Sequence, residues 1–381
     1  MVITLLRADT REGAEEHISN PWLAIQLWAL ALTFVSGYSA PAAVIKAEDP
    51  CRTWTVPHLP AGGGRGSPRN GRPTDGRSTD LTTAPFAHLK ETTPMPAPLT
   101  SYVESWHPEP VTDEDALATT PSAALSALLD IPGTAAKSGD PLPPLWQWLY
   151  FLHWAPQQAL GPDGHLREAR FLPPIPDRRR MFGGGRCEVV EPLRLGESTE
   201  RTSSLAAVTP KEGRSGALLF VTERQEFRQN GQLRLVEEQD IVYRSSVGSA
   251  PPHPDTLNDS AGPEPRSPWQ LGLQTTETLL FRFSALTANA HRIHYDTPYC
   301  RDAEGYPGLV VHGPLLALLM LELVRRNAPE RQVRSLSYRL HRPAFVGEHL
   351  LADGMADDGH ARLRIATHRE VRHATAEVTF G

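Results

Sequence analysis

Residues Phe281–Gly313, FRFSALTANAHRIHYDTPYCRDAEGYPGLVVHG, decide how this chain is read. The segment gathers His291, His294, His312, Asp296 and Asn289 directly ahead of a glycine and an apolar run, Pro314–Leu323 (PLLALLMLEL). A Gly-Pro start followed by such a run predicts a core helix opening at Gly313. Groups that can carry protons thus sit just before a helix N-terminus, where unpaired N–H groups and the helix dipole favour negative charge. That arrangement suits acid–base chemistry on a carbonyl compound.

Beyond the helix, VRSLSYRLHRPAFVGE, HLLADGMAD, ARLRIATHRE and HATAEVTF alternate apolar and polar residues and read as antiparallel strands. Leu271–Arg282, ahead of the deciding segment, is also strand-like. The middle of the chain repeats this order. Thr112–Asp130 holds an acidic start and a short amphipathic helix, and Leu142–Ala155 (LPPLWQWLYFLHWA) has the spacing of a buried helix. The rings of that second run are core material first and a wall of an acyl pocket second. CEVVEPLRLGE, RTSSLAAVTP, ALLFVTERQEFR and EEQDIVYR follow as strands, with turns at KEGRSG and RQNG. Between helix and strands, Arg178–Gly185 (RRRMFGGG) reads either as a contact for the phosphates of a coenzyme or as a solvated basic turn; it is not a P-loop.

Pro192–Glu197 (PLRLGE) echoes Pro343–Glu348 (PAFVGE), each just after a strand. With the matching element order, the echo points to two copies of one fold. A long helix wrapped by one antiparallel sheet is the hot-dog architecture. The expected class is therefore α+β, with two tandem hot-dog units paired as a pseudo-dimer behind an irregular N-terminal extension. The units span residues 97–244 and 268–381, with a proline-rich linker at 245–267.

Composition sets wider bounds. A chain of 381 residues is long enough for two or three domains, and 38 Lys+Arg against 44 Asp+Glu gives no basic excess for nucleic acid. The 36 prolines argue for turns rather than a helical bundle. Cys51, Cys187 and Cys300 form no CxxC pair, so neither a disulfide framework nor a zinc site is expected, and a reducing compartment is the simpler reading. Trp22–Ile45 is uncharged and apolar, but the acidic segment before it fits neither a signal peptide nor a mitochondrial presequence. Ala61–Arg77 reads as flexible linker, and Met95 begins a stretch that resembles a natural start. Residues 1–94 read first as an over-extended reading frame or non-conforming leader, then as a leader or anchor, and last as a folded domain.

Ser284–Asp296 (SALTANAHRIHYD), Glu304–Gly313 (EGYPGLVVHG), LPPLWQWLYFL, FLPPIPDRRRMFGGG, KEGRSGALLFV and EEQDIVYR resemble the hydroxyacyl-thioester dehydratase type 2 family. This is a branch of the MaoC-like double hot-dog proteins that includes mitochondrial 3-hydroxyacyl-carrier-protein dehydratases and bacterial mesaconyl-C4-CoA hydratases. The resemblance covers roughly residues 97–381. It implies hydration of a 2-enoyl thioester or dehydration of a 3-hydroxyacyl thioester, with CoA or acyl-carrier pantetheine as part of the substrate and no metal or redox cofactor. The wider group's hydratase motif places its catalytic His on His294 and its Asp on Asn289, where an amide cannot titrate; its helix-opening glycine falls on Gly313.

On that basis His294 is the general acid/base, its ordinary pKa of about 6.5 lying near working pH. The Gly313 amide is the oxyanion donor and Asn289 holds the water. Tyr306, His312, Arg292 and Arg342 are candidate substrate-binding residues, the arginines because a dicarboxylic mono-thioester carries a free carboxylate. Asp296 reads as a cap or ion-pair partner, and Cys300 as a small apolar residue. A hot-dog thioesterase and a non-catalytic acyl-thioester scaffold are the competing readings; Glu322 lies too late in the helix to serve the former. No nucleic-acid or stable membrane partner is expected, and homodimerisation remains an option. A bacterial chain would be cytoplasmic, a eukaryotic one mitochondrial.

Overall fold

The computed structural model describes residues 98–132, 136–175, 178–213, 216–245, 257 and 262–381. The expectations for residues 1–94, and for most of the 245–267 linker, lie outside them.

The described elements begin with β1 (Val111–Asp115) and α1 (Thr119–Leu128). Four long strands follow: β2 (Arg178–Val189), β3 (Thr199–Gly213), β4 (Gly216–Gln229) and β5 (Gln232–Ser245). The second series is β6 (Trp269–Gln274), α2 (Glu277–Leu286), α3 (Thr297–Asp302), α4 (Gly313–Asn327), then β7 (Val333–Leu340), β8 (His349–Ala356), β9 (His360–Ala366) and β10 (Ala374–Phe380). All ten strands form one sheet in the order β1-β3-β4-β5-β2-β7-β10-β9-β8-β6. Read from either edge, the first, third, fourth, fifth and second strand of each series lie side by side. The halves therefore share one wiring and meet where β2 pairs antiparallel with β7, from Gly184↔Arg339 to Glu188↔Ser335.

The echoed turns confirm the duplication in detail. Gly196 and Gly347 both take positive φ, +76° and +93°. Arg194 bridges to Pro141 as Phe345 bridges to Val310. The amide of Leu142 bonds to the Leu193 carbonyl at 2.7 Å, as that of Val311 bonds to Ala344 at 2.8 Å.

This register exposes the main departure from expectation. Gly313, where α4 starts, corresponds to Pro144, and the Leu142–Ala155 run forms a single 3-10 turn, Trp146–Leu149, instead of a long helix. Pro143 and Pro144 remove two donors, Leu145 sits in the left-handed region at φ +69°, and Tyr150 is already extended. The N-terminal half thus keeps the hot-dog sheet with a stub of its helix. In the C-terminal half every residue from Leu315 to Val324 is buried. A helix apolar all round belongs inside a core. Packed against β6, β8, β9 and β10, α4 gains roughly 1.5–3 kcal/mol of transfer free energy per buried leucine.

Two local readings also change. Residues 277–282 are helical, because the Thr276 side chain accepts from the Leu279 amide at 3.1 Å and caps α2. The arginine–glycine run is β2 itself, inside the sheet. Its glycines serve close packing at the seam: a Cβ at Gly184 (φ +143°) would overlap the Tyr338 carbonyl oxygen, and one at Gly185 would crowd Glu238 and Tyr338.

Gly184→Ala should therefore cost more than about 1 kcal/mol, since it adds backbone strain to steric overlap. Gly359→Ala, in open space, is the control. Urea midpoints of the two variants check this; equal stability would contradict the close packing assigned to the seam.

Candidate active site

A cavity of about 480 Å³ opens at the seam between the halves. Phe182 and Gly183 of β2, Leu340 of β7 and Gly313 of α4 line it, together with Asn289, His291, His294, Tyr306 and Arg342. No Asp or Glu side chain lines it among the described residues.

His294 ends a 3-10 turn, Arg292–His294, and is only 6 % exposed. Its Nδ1 lies 2.7 Å from the Val310 carbonyl oxygen. A carbonyl only accepts, so Nδ1 carries the proton and Nε2 is left with a lone pair. Burial pushes the His294 pKa down to about 3, with the Val310 bond opposing and His291 and His165 adding to the fall. The sequence reading took the ordinary value; a dry site holds this imidazole neutral and ready to act as a base.

Gly313 is the first residue of α4, so its amide has no acceptor within the helix. A Cβ here would overlap Leu340 Cδ1, so a side chain would narrow this end of the cavity. Asn289 follows the end of α2, and its Oδ1 accepts from the His291 amide at 3.0 Å, fixing the loop. Tyr306 lines the wall, and burial raises its pKa.

Two expected binding residues lie elsewhere. His312 is fully buried behind His294, stacked on it at 3.6 Å, with Nε2 2.8 Å from Ser284 Oγ; it backs the His294 ring rather than lining the cavity. Arg292 also misses the cavity. It donates to Asp296 from Nε (3.0 Å) and Nη2 (2.7 Å) and to the Pro162 carbonyl from Nη1 (2.8 Å). Asp296 caps α3 through the Tyr299 amide. Arg342 does line the mouth, 68 % exposed and paired with Glu370 at 2.9 Å. Cys300 is buried, and burial pushes its thiol up to about 12.

The N-terminal half lines the cavity too: Trp148 and Arg180 come from the runs read secondarily as an acyl-pocket wall and as a phosphate contact, while Gln239 and His165 carried no such signal. Trp148 and Gln239 line the cavity and donate to the buried Glu237 at 2.7 and 2.8 Å, so one carboxylate fixes both. Arg180 of β2 lines the cavity with no ion pair among the described residues. His165 also reaches it, carried by a hairpin turn at Gly161–His165 (GPDGH). Pro-Asp-Gly is a turn signal that marks such a loop in sequence, but nothing local tells where the loop lands. Asp163, His165 and His291 place ligand-type atoms within 4.8 Å of one another. Both Asp163 oxygens are taken by His165, Oδ1 by its amide and Oδ2 by Nδ1, each at 3.0 Å, so the group is a hydrogen-bonded dyad beside a histidine.

These histidines contribute to the acid stability. Burial holds the pKa of His291 and His294 at about 3 and that of His312 well below its ordinary value. Between about pH 6.5 and 3 the unfolded chain binds protons that the folded chain does not. Stability therefore falls as pH drops through that window, by at most about 1.4 kcal/mol per unit for each histidine. Urea midpoints should be lower at pH 5.5 than at pH 7.5; an unchanged midpoint would show these rings to be hydrated.

The family model for hydroxyacyl-thioester dehydratase type 2 matches residues 145–346. A mesaconyl-C(4)-CoA hydratase of Chloroflexus aurantiacus is 45 % identical over 240 residues, covering 61 % of this chain and 81 % of that one. The mitochondrial hydroxyacyl-thioester dehydratase type 2 of Schizosaccharomyces pombe is 28 % identical over 242 residues, 55 % of this chain and 76 % of its own. Among solved structures, a MaoC-like dehydratase from Phytophthora capsici has the same fold, with a TM-score of 0.53 at 12 % identity over 72 % of this chain and 96 % of that one. The match runs from the stub of the first helix through the His291–His294 loop and α4 to the second echoed turn, and on it the chain belongs to the hydroxyacyl-thioester dehydratase type 2 family.

Proposed function

We propose that the cavity hydrates, reversibly, a 2-enoyl-CoA whose short acyl group bears a free carboxylate, of the mesaconyl-C4-CoA type. The family activity is acyl-thioester hydration and dehydration, so the chain is a carbon–oxygen lyase. The observation that carries the reading is a neutral, Nδ1-anchored His294 in the same cavity as the unpaired first amide of α4.

The chemistry follows from those two groups. Addition of water to the β-carbon pushes charge onto the thioester oxygen, and the Gly313 amide at the positive end of α4 receives it. Removing one such donor typically costs about 100- to 1,000-fold in rate. His294 Nε2 moves the proton that the α-carbon gains on hydration and loses on dehydration. Asn289 holds the water or hydroxyl by hydrogen bonds. Arg180, a cation without an ion pair in the cavity among the described residues, takes the substrate's free carboxylate. A thioesterase reading lacks a cavity carboxylate among the described residues, and Glu322 is bound to Arg325 and Arg326 at the far end of α4.

No helix among the described residues is long and apolar enough to cross a membrane. The mitochondrial relative favours the matrix for a eukaryotic source, and the bacterial one the cytoplasm.

Loss of enoyl-thioester absorbance, run with mesaconyl-C4-CoA and crotonyl-CoA side by side, tests the reading. His294→Ala should lower kcat by roughly 100- to 10,000-fold for both. Arg180→Gln should lower kcat/KM about 10- to 100-fold for mesaconyl-C4-CoA, the loss of a charged hydrogen bond, and leave crotonyl-CoA nearly unchanged. Equal losses on both substrates would place Arg180 on the CoA phosphates. Turnover of a 3-hydroxyacyl-carrier-protein alone would replace the CoA reading.

A further inference from the structure

His165 lines the cavity with Asp163 bonded behind it, yet this dyad has no role in the chemistry derived so far. Its loop is tightly built. The turn closes through Gly164 N to Gly161 O at 3.1 Å, and the segments either side, joined by one bridge between Leu160 and Leu166, pair through Gly161 N to His165 O at 2.6 Å and Arg167 N to Ala159 O at 3.0 Å. Pro162, Asp163 and Gly164 supply the turn residues, with Gly164 at φ +89°. The C-terminal half grips this turn from outside. Arg292 donates from its amide to the Asp163 carbonyl at 2.9 Å and from Nη1 to Pro162 at 2.8 Å, and Gly164 packs so closely on Ala290 that a Cβ would overlap its carbonyl. Arg292 thus positions the turn. The catalytic loop of one half holds a turn of the other in place, and what that turn delivers is one imidazole.

His165 Nδ1 lies 3.0 Å from Asp163 Oδ2, so Nδ1 donates and Nε2 is the nitrogen left for the cavity. Its ring centroid is 4.0 Å from that of His291, which is 5.6 Å from that of His294. Three imidazoles therefore run from the buried base to a carboxylate. The titratable groups next to His165 are Asp163 on its own turn and His291, with His294 beyond it; Arg180 of β2 acts on His291. An imidazolium on His165 is compensated directly by Asp163, whereas one on His294 has only a carbonyl beside it.

Resting on the hydratase reading above, we propose that His165, held by Asp163, is the second proton carrier of the site: it works on the substrate oxygen while His294 works on the α-carbon. In dehydration His294 Nε2 takes the α-proton and the C–O bond breaks. Nε2–H of the His165 imidazolium gives its proton to the departing hydroxyl, which leaves as water. The proton on His294 then returns to His165 through His291 or water, restoring the start; hydration is the reverse. No oxidant, reductant or co-reactant is needed.

The test uses the full chain and two readouts. The first is hydration of crotonyl-CoA across pH 5.5–9. The second is exchange of the α-proton of butyryl-CoA in deuterated water, which needs the α-carbon base but no elimination. His165→Gln should lower hydration about 100-fold or more, the usual reach of a general acid or base, with exchange within about threefold of wild type. Asp163→Asn should lower hydration less and change the pH profile, and added imidazole should partly restore His165→Ala. His294→Ala should abolish both readouts. Wild-type hydration with an unaltered His165→Gln rate and profile would overturn the dyad and leave the hydratase reading standing. No wild-type hydration would sink that reading first. Hydration abolished by a chelator and restored by Zn²⁺ would make Asp163, His165 and His291 a metal site and likewise overturn the proposal.

Discussion

The pairing of β2 with β7 is the constraint on which the rest depends. Five residue pairs join two half-sheets into one, and the cavity lies against that seam, with Phe182 and Gly183 on one side and Leu340 on the other. The strands approach closely because Gly184 and Gly185 have no side chains to interpose. α4 then presents its N-terminus to the seam, where Gly313 leaves room for a ligand under Leu340 and Phe182. Neither half forms this site alone.

Electrostatics within the cavity follow from what was kept out of it. With no carboxylate lining it among the described residues, desolvation outweighs the Asp163 charge near His291 and the Val310 bond to His294, and His291, His294 and His312 are each driven toward the neutral form. Asp163 stands just behind the lining. Burial would raise its pKa, but the side-chain and backbone bonds from His165 outweigh that and hold it well below the ordinary carboxylate value. Charge is thus available at one edge of a chain of neutral rings, which is how a dry site can form an imidazolium without building in a permanent one.

Local signals made much of this legible. The run of apolar residues after Gly313 could only be a core helix, and the strands announced themselves by alternation. The PLRLGE and PAFVGE turns gave away the duplication because both need a glycine at positive φ. Errors came where tertiary context overrode pattern. LPPLWQWLYFL has helical spacing, yet its prolines and the extended Tyr150 hold it to one turn. RRRMFGGG has the composition of a loop, yet it runs through the middle of the sheet, since its glycines answer a packing need that composition does not express. His294, Asn289 and Gly313 lie close together in sequence and line one cavity. His165 is more than a hundred residues from His291, and only the fold brings them into contact.

The loss of the first helix explains why two equivalent halves yield one site. In a symmetric pair each helix N-terminus would face the seam and carry its own glycine amide. Here Pro144 occupies the position of Gly313, and a proline has no amide hydrogen to offer an oxyanion. On the reading proposed above, the N-terminal half has no such donor to offer the developing charge. What it supplies is wall and support: Glu237 clamps Trp148 and Gln239 in place, β2 contributes Arg180, and the Gly161–His165 turn reaches across to the His291–His294 loop. The seam still requires two matching sheet edges, which both halves keep although only one carries the long helix.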